Sequence, residues 1–383
     1  MVAQNALAQS DEQKELRDAV RRLLRDKAPT EGLREAADAD GVPAPDRQLW
    51  GQLAELGLVA LEVPEKYDGL GQTTRETNVV FEEMGRGLYH GPYLACVGLA
   101  IPALLGSGDE AACAELLPAI SAGETIATLA VAEADGRWDT AGTATEATED
   151  SGADGGWRLT GTKSFVLDGA EADLLLVTAR SGGDVSLFAV TGDAEGLTRT
   201  PLESLDLARS VATVALDNVP ARLVGTAGAA PAVVADALDR GLAGLAAEQA
   251  GGAAACLDLC VEYAKTRKQF GQPIGSFQAV AHKCVEMLHG VEFAQASARY
   301  AAAALAEGAA DAREAARVAA AYNGVAFRDI VVETVQVHGG TGFTWEHDTH
   351  LYYRRAWSSQ QLLGNADEHY AVVAGLALDG PAS

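Results

Sequence analysis

The stretch from Tyr263 to Gln278, YAKTRKQFGQPIGSFQ, decides how this chain is read. It sets a guanidinium (Arg267) two positions before an amide (Gln269), and an aromatic (Phe270) follows at once. A Gly-Gln-Pro turn (Gly271 to Pro273) then leads to a second aromatic–amide pair, Phe277 and Gln278. An arginine fork suits a pyrophosphate, amides suit the polar edges of an adenine or a sugar chain, and phenylalanine offers a ring a face to stack on. The other reading of the same letters is a helix end with an arginine on its solvated face. The stretch leaves both open, and the rest of the chain has to separate them.

The bulk numbers narrow the field. At 383 residues the chain is long enough for a large core and for two or three domains. Its formal charge of -25, with no block of Lys and Arg and no basic face studded with aromatics, argues against nucleic acid and against an anionic membrane surface. Five cysteines (Cys96, Cys113, Cys256, Cys260, Cys284) form no C-x-x-C pair and sit in apolar helical runs, which predicts reduced thiols and a cytoplasmic location. The first residues lack the basic-then-apolar layout of a secretion signal, and no apolar run is long enough to span a membrane.

Periodicity divides the chain into three zones. From Asp11 to Gly123 the apolar spacing is helical, in DEQKELRDAVRRLLRD (Asp11 to Asp26), LWGQLAELGL (Leu49 to Leu58) and ETNVVFEEMGRGL (Glu76 to Leu88). From about Glu124 the period changes to two, in TIATLAVAE, GWRLTGTKSFVLDG, ADLLLVTAR, DVSLFAVTGD and VATVALDNV. From Pro231 onward long Ala-rich helices are predicted over 231–266, 276–307 and 309–337, with a last one over 361–378. The predicted domains are 1–123, helical; 124–228, β; and 229–383, a helical bundle.

Four ordered stretches resemble the acyl-CoA dehydrogenase family. The first is YAKTRKQFGQPIGSFQ itself. ELGLVALEVPEKYDGLGQTTRETNVVFEEMGRGL (Glu55 to Leu88) is similar to the family's N-terminal pattern, and LTGTKSFVLDGAEADLLLV (Leu159 to Val177) to its β-domain hairpin. QVHGGTGFTWEHDTHLYYRRA (Gln336 to Ala356) resembles its Q-x-x-G-G-x-G flavin loop. The resemblance implies an α+β fold with a helical N-terminal domain, a middle β-barrel-like domain and a C-terminal four-helix bundle. It implies FAD as cofactor and α,β-desaturation of an acyl-CoA: a carboxylate removes the α-proton, the β-hydride goes to flavin N5, and electrons leave to an electron-transferring flavoprotein or similar acceptor. It also implies a dimer or tetramer, in fatty acid or steroid side-chain metabolism. The residues it assigns to FAD are Arg267, Gln269, Phe270, Phe277, Gln278, Gln336, Gly339 and Gly340.

The chain departs from that pattern where the chemistry happens. The commonest members carry their base in an E-G-T run, and Leu363, Gly364 and Asn365 stand there instead. A second group places it 26 residues before the signature arginine, where this chain has Gly241. The one charged residue between Arg240 and Asp258 is Glu248, seven residues beyond Gly241 and so on nearly the same helical face. Glu248 is the candidate catalytic base, and burial in so apolar a run predicts a raised pKa. The alternative for the same residue is a structural carboxylate paired with an arginine.

The family's T-E-P-x-x-G-S-D run appears as AEADGRWD (Ala132 to Asp139) and its W-I-T run as Phe165, Val166 and Leu167, so hydroxyls near the flavin are lost. The residues that in this family reach across a dimer interface to the neighbour's FAD are kept. That asymmetry suits a site-completing or non-catalytic subunit of a heteromeric dehydrogenase, as occurs among actinobacterial relatives acting on steroid side chains. The expectation favoured over it is a self-sufficient homo-oligomer using Glu248, with Trp138 and Phe165 packing the ring, and the site-completing subunit is the alternative. A third reading is a biosynthetic member acting on a carrier-protein thioester, which the -25 charge disfavours because carrier proteins are acidic. The run Trp345 to Asp348 fits no metal pattern and reads as loop packing, as does His338. Arg209, in the LDLARS loop, is a candidate for steering a CoA phosphate or the substrate tail.

Overall fold

The computed structural model describes residues 7–37, 42, 44–150 and 156–379. The N-terminal helices begin where side chains can cap them. Helix α1 (Asp11–Lys27) opens on a capping box in which Ser10 and Gln13 satisfy each other's backbone N–H groups, with Asp11 and Glu12 in its first turn. It is followed by α2 (Thr30–Ala37) and by α3 (Arg47–Glu55), which is capped by Asp46. Thr73 and Glu76 form a second capping box for α4 (Thr74–Arg86). A fully buried π-helical stretch, Leu94–Ala100, runs into α5 (Ile101–Gly106), and α6 (Glu110–Ser121) closes the domain.

The middle of the chain forms β1 (Ala127–Ala130), β2 (Glu146–Glu149), β3 (Trp157–Leu167), β4 (Leu174–Ser181), β5 (Asp184–Thr191), β6 (Leu197–Pro201) and β7 (Val211–Val224). Strands β4, β2, β3, β7 and β5 pair in that order, and β5 pairs back onto β4, so the sheet closes on itself. Closure removes the exposed edges that an open sheet would have to protect. Its interior is a separate core around Leu159, Leu175, Val177, Phe188 and Val214. Arg47 at the start of α3 ties the barrel to the N-terminal domain through both oxygens of Asp173, at 2.9 Å.

The remainder is α7 (Ala230–Thr266), a short hairpin of β8 (Lys268–Gln269) and β9 (Gln272–Pro273), α8 (Gln278–Ala306), α9 (Ala312–His338), α10 (Thr349–Ser359) and α11 (Ala366–Asp379). The last predicted helix starts later than expected. Leu363 and Gly364 take left-handed backbone angles (φ 59° and 105°), and Asn365 and Glu368 then cap α11 by exchanging backbone and side-chain bonds of 3.0 and 3.1 Å. Strands β2 and β6 and helix α10 have no counterpart in the sequence reading; β2 and β6 are only four and five residues long.

Helix α7 is the spine of the molecule. At 37 residues it is about 55 Å long, and it packs against α4, α8 and α9. Its crossing with α4 is a backbone-to-backbone contact: a Cβ on Gly85 would lie 1.8 Å from the carbonyl oxygen of Glu248, and one on Gly251 1.8 Å from that of Glu82. Neither neighbour is a side chain that can swing aside. The substitution Gly251→Ala is therefore expected to cost about 3 kcal/mol, read as a lower urea midpoint with an unchanged slope. A variant as stable as the parent would show that α4 and α7 separate at little cost.

Candidate functional site

The residues read as dinucleotide contacts gather at one end of the bundle. Helix α7 stops at Thr266, and the β8–β9 hairpin turns over Phe270 and Gly271, both with positive φ (52° and 81°). Gly275 then passes close to the carbonyl oxygen of Ala264, which folds the signature back onto the helix it left. The ring of Tyr263 stacks on that of His338 at 4.4 Å, which brings the end of α9 to the same place. All eight predicted residues are thus near one another. Arg267, Gln269, Phe270, Gln278, Gln336, Gly339 and Gly340 are exposed, and Phe277 is half-buried.

This end is built to meet something outside the chain. Phe270 is 93% exposed, with Phe277 edge-on to it at 6.1 Å. The Arg267 guanidinium has no ion-pair partner among the described residues, and Gln269 bonds only to its neighbour's carbonyl. Space is open around Gly339 and Gly340: a Cβ on either would meet no atom within 4 Å. An unpaired guanidinium, free amides, stacking faces and an uncrowded glycine loop fit the ADP half of FAD.

The barrel loop that would face the isoalloxazine is held from beneath. Glu133 accepts from the buried Lys163 amino group at 2.7 Å, from the N–H groups of Ala144 and Thr145 at 2.9 and 3.0 Å, and from the Thr145 hydroxyl at 2.8 Å. Burial pushes the Glu133 pKa up, but Lys163 and Thr145 outweigh it and the net shift is downward. Lys163 also donates to the carbonyl of Val131 and the hydroxyl of Thr178. Above this clamp, Phe165 has φ 56° and is 43% exposed, while Trp138 packs half-buried against the core. The loop is firmly placed, but hydrophobic side chains stand where the family pattern has hydroxyls.

The two family positions for the base meet in space. A Cβ on Gly241 would lie 2.5 Å from Leu99 Cδ2 and 3.3 Å from Leu363 Cδ1. Phe81 leans on Gly244 one turn along α7 in the same way. The void beside them, lined by Phe81, Gly98, Ala243 and Gly244, is about 10 Å³, roughly the room of one water. Glu62 lines the same void; burial raises its pKa against the pull of Thr77 and Arg240, whose Nη1 is 3.1 Å away.

Glu248 does not match the expected state. Its Oε1 accepts from Arg355 Nη1 at 2.6 Å and from Arg209 Nη2, and all three side chains are buried. Burial pushes the Glu248 pKa up, but the two guanidinium groups pull it below the ordinary carboxylate value. The predicted raised pKa is thus corrected: two cations hold the carboxylate ionised. Arg355 further pairs with Asp206, Nε to Oδ2 at 2.5 Å, and donates to the carbonyl oxygens of Ala208 at 2.8 Å and Tyr89 at 3.3 Å. Arg209 is likewise committed to the interior and is not placed to meet a CoA phosphate.

Arg355 and Asp206 carry no weight in the sequence reading, since both are far along the chain from Glu248. One signal was available. The buried positions of α10 are Thr349, Leu351, Tyr352, Arg355, Ala356 and Ser359, so helical spacing alone turns Arg355 to the core side.

Comparisons with known proteins agree along the whole chain. Residues 10–124, 128–219 and 232–375 match the N-terminal, middle and C-terminal domains of acyl-CoA dehydrogenase. The acyl-CoA dehydrogenase IpdE2 of Mycolicibacterium smegmatis is 31% identical over 361 residues, covering 93% of this chain and 95% of that protein. In fold, the chain superimposes on butyryl-CoA dehydrogenase from Megasphaera elsdenii with a TM-score of 0.89 at 24% identity, covering 97% and 99% of the two chains. A variant of the Tcur3481-Tcur3483 steroid ACAD gives a TM-score of 0.82 at 30% identity over 97% and 99%. With its three domains matched in order and a 31% identical relative covered almost end to end, this chain belongs to the acyl-CoA dehydrogenase family of FAD-dependent oxidoreductases.

Proposed function

We propose that this chain is the site-completing subunit of a heteromeric acyl-CoA dehydrogenase, in which a companion chain supplies the carboxylate that removes the α-proton. The observation that carries the reading is the closed apolar contact of Gly241, Leu99 and Leu363 at the point where either family base would stand, with Glu248 neutralised two turns away. A carboxylate can remove an α-proton from a thioester only if it is free to accept it. Glu248 is not free, and a carboxylate locked by two arginines has a depressed rather than a useful pKa.

FAD, when bound, supplies the two-electron acceptor for the β-hydride. This chain's part is to hold and shield it. Arg267, Gln269, Gln278 and Gln336 would meet its phosphates and polar edges, Phe270 and Phe277 its rings, and Gly339 and Gly340 would let it approach the backbone. The open, outward-facing placement of these groups supports a cofactor shared with a second chain. Val285, Leu288 and Phe293 on α8, and Tyr370, Val372 and Leu378 on α11, leave apolar surface uncovered on the bundle, which suits a dimer or tetramer. Likeness to a steroid ACAD named for two components supports both a companion chain and a steroid-derived acyl-CoA as the substrate class. An electron-transferring flavoprotein fits as the onward acceptor.

A second reading is favoured by one observation. Glu62, half-buried and with a raised pKa, lines the small void beside Gly98 and Gly244 and would be the base of a self-sufficient enzyme. Turnover by this chain alone that Glu62→Gln abolishes would establish it.

Two outcomes are expected. Purified alone, the chain should carry well under one flavin per chain and turn over no acyl-CoA, whereas co-purification with its companion should restore both; full flavin and turnover alone would overturn the reading. The substitution Glu248→Gln should cost about 3 kcal/mol of stability by urea unfolding, because it leaves buried guanidinium groups without their anion. The Glu248 pKa is depressed on folding, so this stabilisation is present above the unfolded value and is lost as pH falls through the folded one. The gap between parent and variant should therefore shrink on acidification. Unchanged stability with abolished turnover would instead make Glu248 the base.

A further inference from the structure

A carboxyl that the proposed chemistry does not use lies under the stretch that faces the flavin. Asp168 follows Phe165, Val166 and Leu167 directly and is 4% exposed. Its backbone is left-handed (φ 50°), as is that of Phe165 (φ 56°), so two unusual conformations bracket this short segment. Its N–H donates to the carbonyl of Ser210 at 3.0 Å, and its carbonyl accepts from the N–H groups of Glu171 and Ala172 at 3.1 and 3.0 Å. The turn is therefore pinned to the β6–β7 loop that carries Asp206 and Arg209.

The charged and titratable groups around the Asp168 side chain come from every part of the molecule. Arg209 comes from the β6–β7 loop, Arg355 from α10, Glu248 from α7 and Glu171 from its own turn, with Tyr89 and Cys96 from the N-terminal domain. Asp206 sits beside both guanidinium groups, 2.5 Å from Arg355 Nε and 3.9 Å from Arg209 Nε. The buried set thus holds two guanidinium groups against three carboxyls, Asp168, Asp206 and Glu248. Glu248 and Asp206 already engage both cations. One acid is left in excess, and a dry site disfavours a net charge.

The structure assigns Asp168 as a positioning residue: it is the excess acid of this buried cluster, and loss of its proton shifts the Phe165–Leu167 segment against the flavin. This rests on the reading of that segment as flavin-facing. Burial raises the Asp168 pKa to about 7, with Arg209 and Arg355 pulling the other way. Near neutral pH the group therefore changes state: mostly neutral at pH 6, mostly ionised at pH 8. Once ionised, it competes with Glu248 for Arg209 and is repelled by Glu171 in its own turn. Both forces act on a backbone that leads within three residues to Phe165. Small movements there change what covers one face of the bound ring.

The sign of the linkage is opposite to that of Glu248. A carboxyl whose pKa rises on folding destabilises the fold as pH climbs from the unfolded value, near 4, to the folded value near 7, and adds nothing further above it. The variant Asp168→Asn keeps the shape and removes the titration. Its melting temperature should exceed the parent's at pH 8, and the difference should shrink below pH 7 and vanish toward pH 4.

The decisive readout is hydrogen exchange of the backbone spanning residues 164–170, corrected for the chemical rate, measured on the chain from pH 6 to pH 8. The parent should lose protection several-fold with a midpoint near pH 7, and Asp168→Asn should stay flat. Equal profiles in the two proteins, or no step in the parent, would overturn the assignment, and the parent profile decides this even if the variant fails to fold. The visible flavin spectrum of the holo-assembly over the same range tests the second half. A shift in the parent that the variant lacks supports the assignment. An exchange step without any flavin shift would overturn the flavin-facing reading while leaving the proton-linked movement standing.

Discussion

Where the barrel meets the bundle, Glu248 and Asp206 share two arginines in a space closed to water, and the arrangement of the domains hangs on that contact. Arg355 arrives from α10, Arg209 and Asp206 from the barrel's β6–β7 loop, and Glu248 from the middle of α7. Arg355 reaches on to the carbonyl of Tyr89 in the N-terminal domain. Such a cluster adds little net stability over well-packed apolar groups, because desolvation offsets most of the attraction. What it does impose is geometry: Arg355 must reach Glu248, Asp206 and the carbonyl oxygens of Ala208 and Tyr89 at once, so α10, α7 and the barrel must meet in one register.

The same contact decides the chemistry. A carboxylate becomes a base for a weakly acidic carbon when it is desolvated without a cation nearby. In this chain the desolvated carboxylate of α7 has two cations, and the two family positions for the base are Gly241, two turns away on α7, and Leu363, which lies against it. The dinucleotide end shows the reverse pattern, with functional groups presented and few internal bonds to satisfy them. A chain that presents the groups proposed to hold the cofactor outward and keeps its own acid locked inward suits the proposed role of completing a neighbour's site.

Much of this was legible in the sequence because it is local. Helix starts at Ser10 and Thr73 follow from capping chemistry, and the change of apolar period from 3.6 to 2 near Glu124 marks the barrel. The signature from Arg267 to Gln278 is legible because its residues are adjacent along the chain, whereas the Tyr263–His338 stack that brings the end of α9 beside it is not contained in spacing alone. What the sequence hid is long-range. An apolar run around Glu248 predicts burial correctly but says nothing of the partners, which lie 39 and 107 residues away, and the partners reverse the direction of the pKa shift. Short strands such as β2 and β6 carry too few residues for a period to register, and the delayed start of α11 depends on two left-handed residues that only one needs glycine to adopt.

The most direct test of the account is a single-turnover experiment: the assembly formed by this chain alone, with whatever FAD it retains, mixed anaerobically with a steroid-derived acyl-CoA while the visible flavin band is followed. The band should persist, because the Glu248 carboxylate is held by two arginines and is not free to take the α-proton, and adding the companion chain should bleach it. Bleaching by this chain alone, at a rate comparable to the mixed assembly, would contradict it and place the base within these residues.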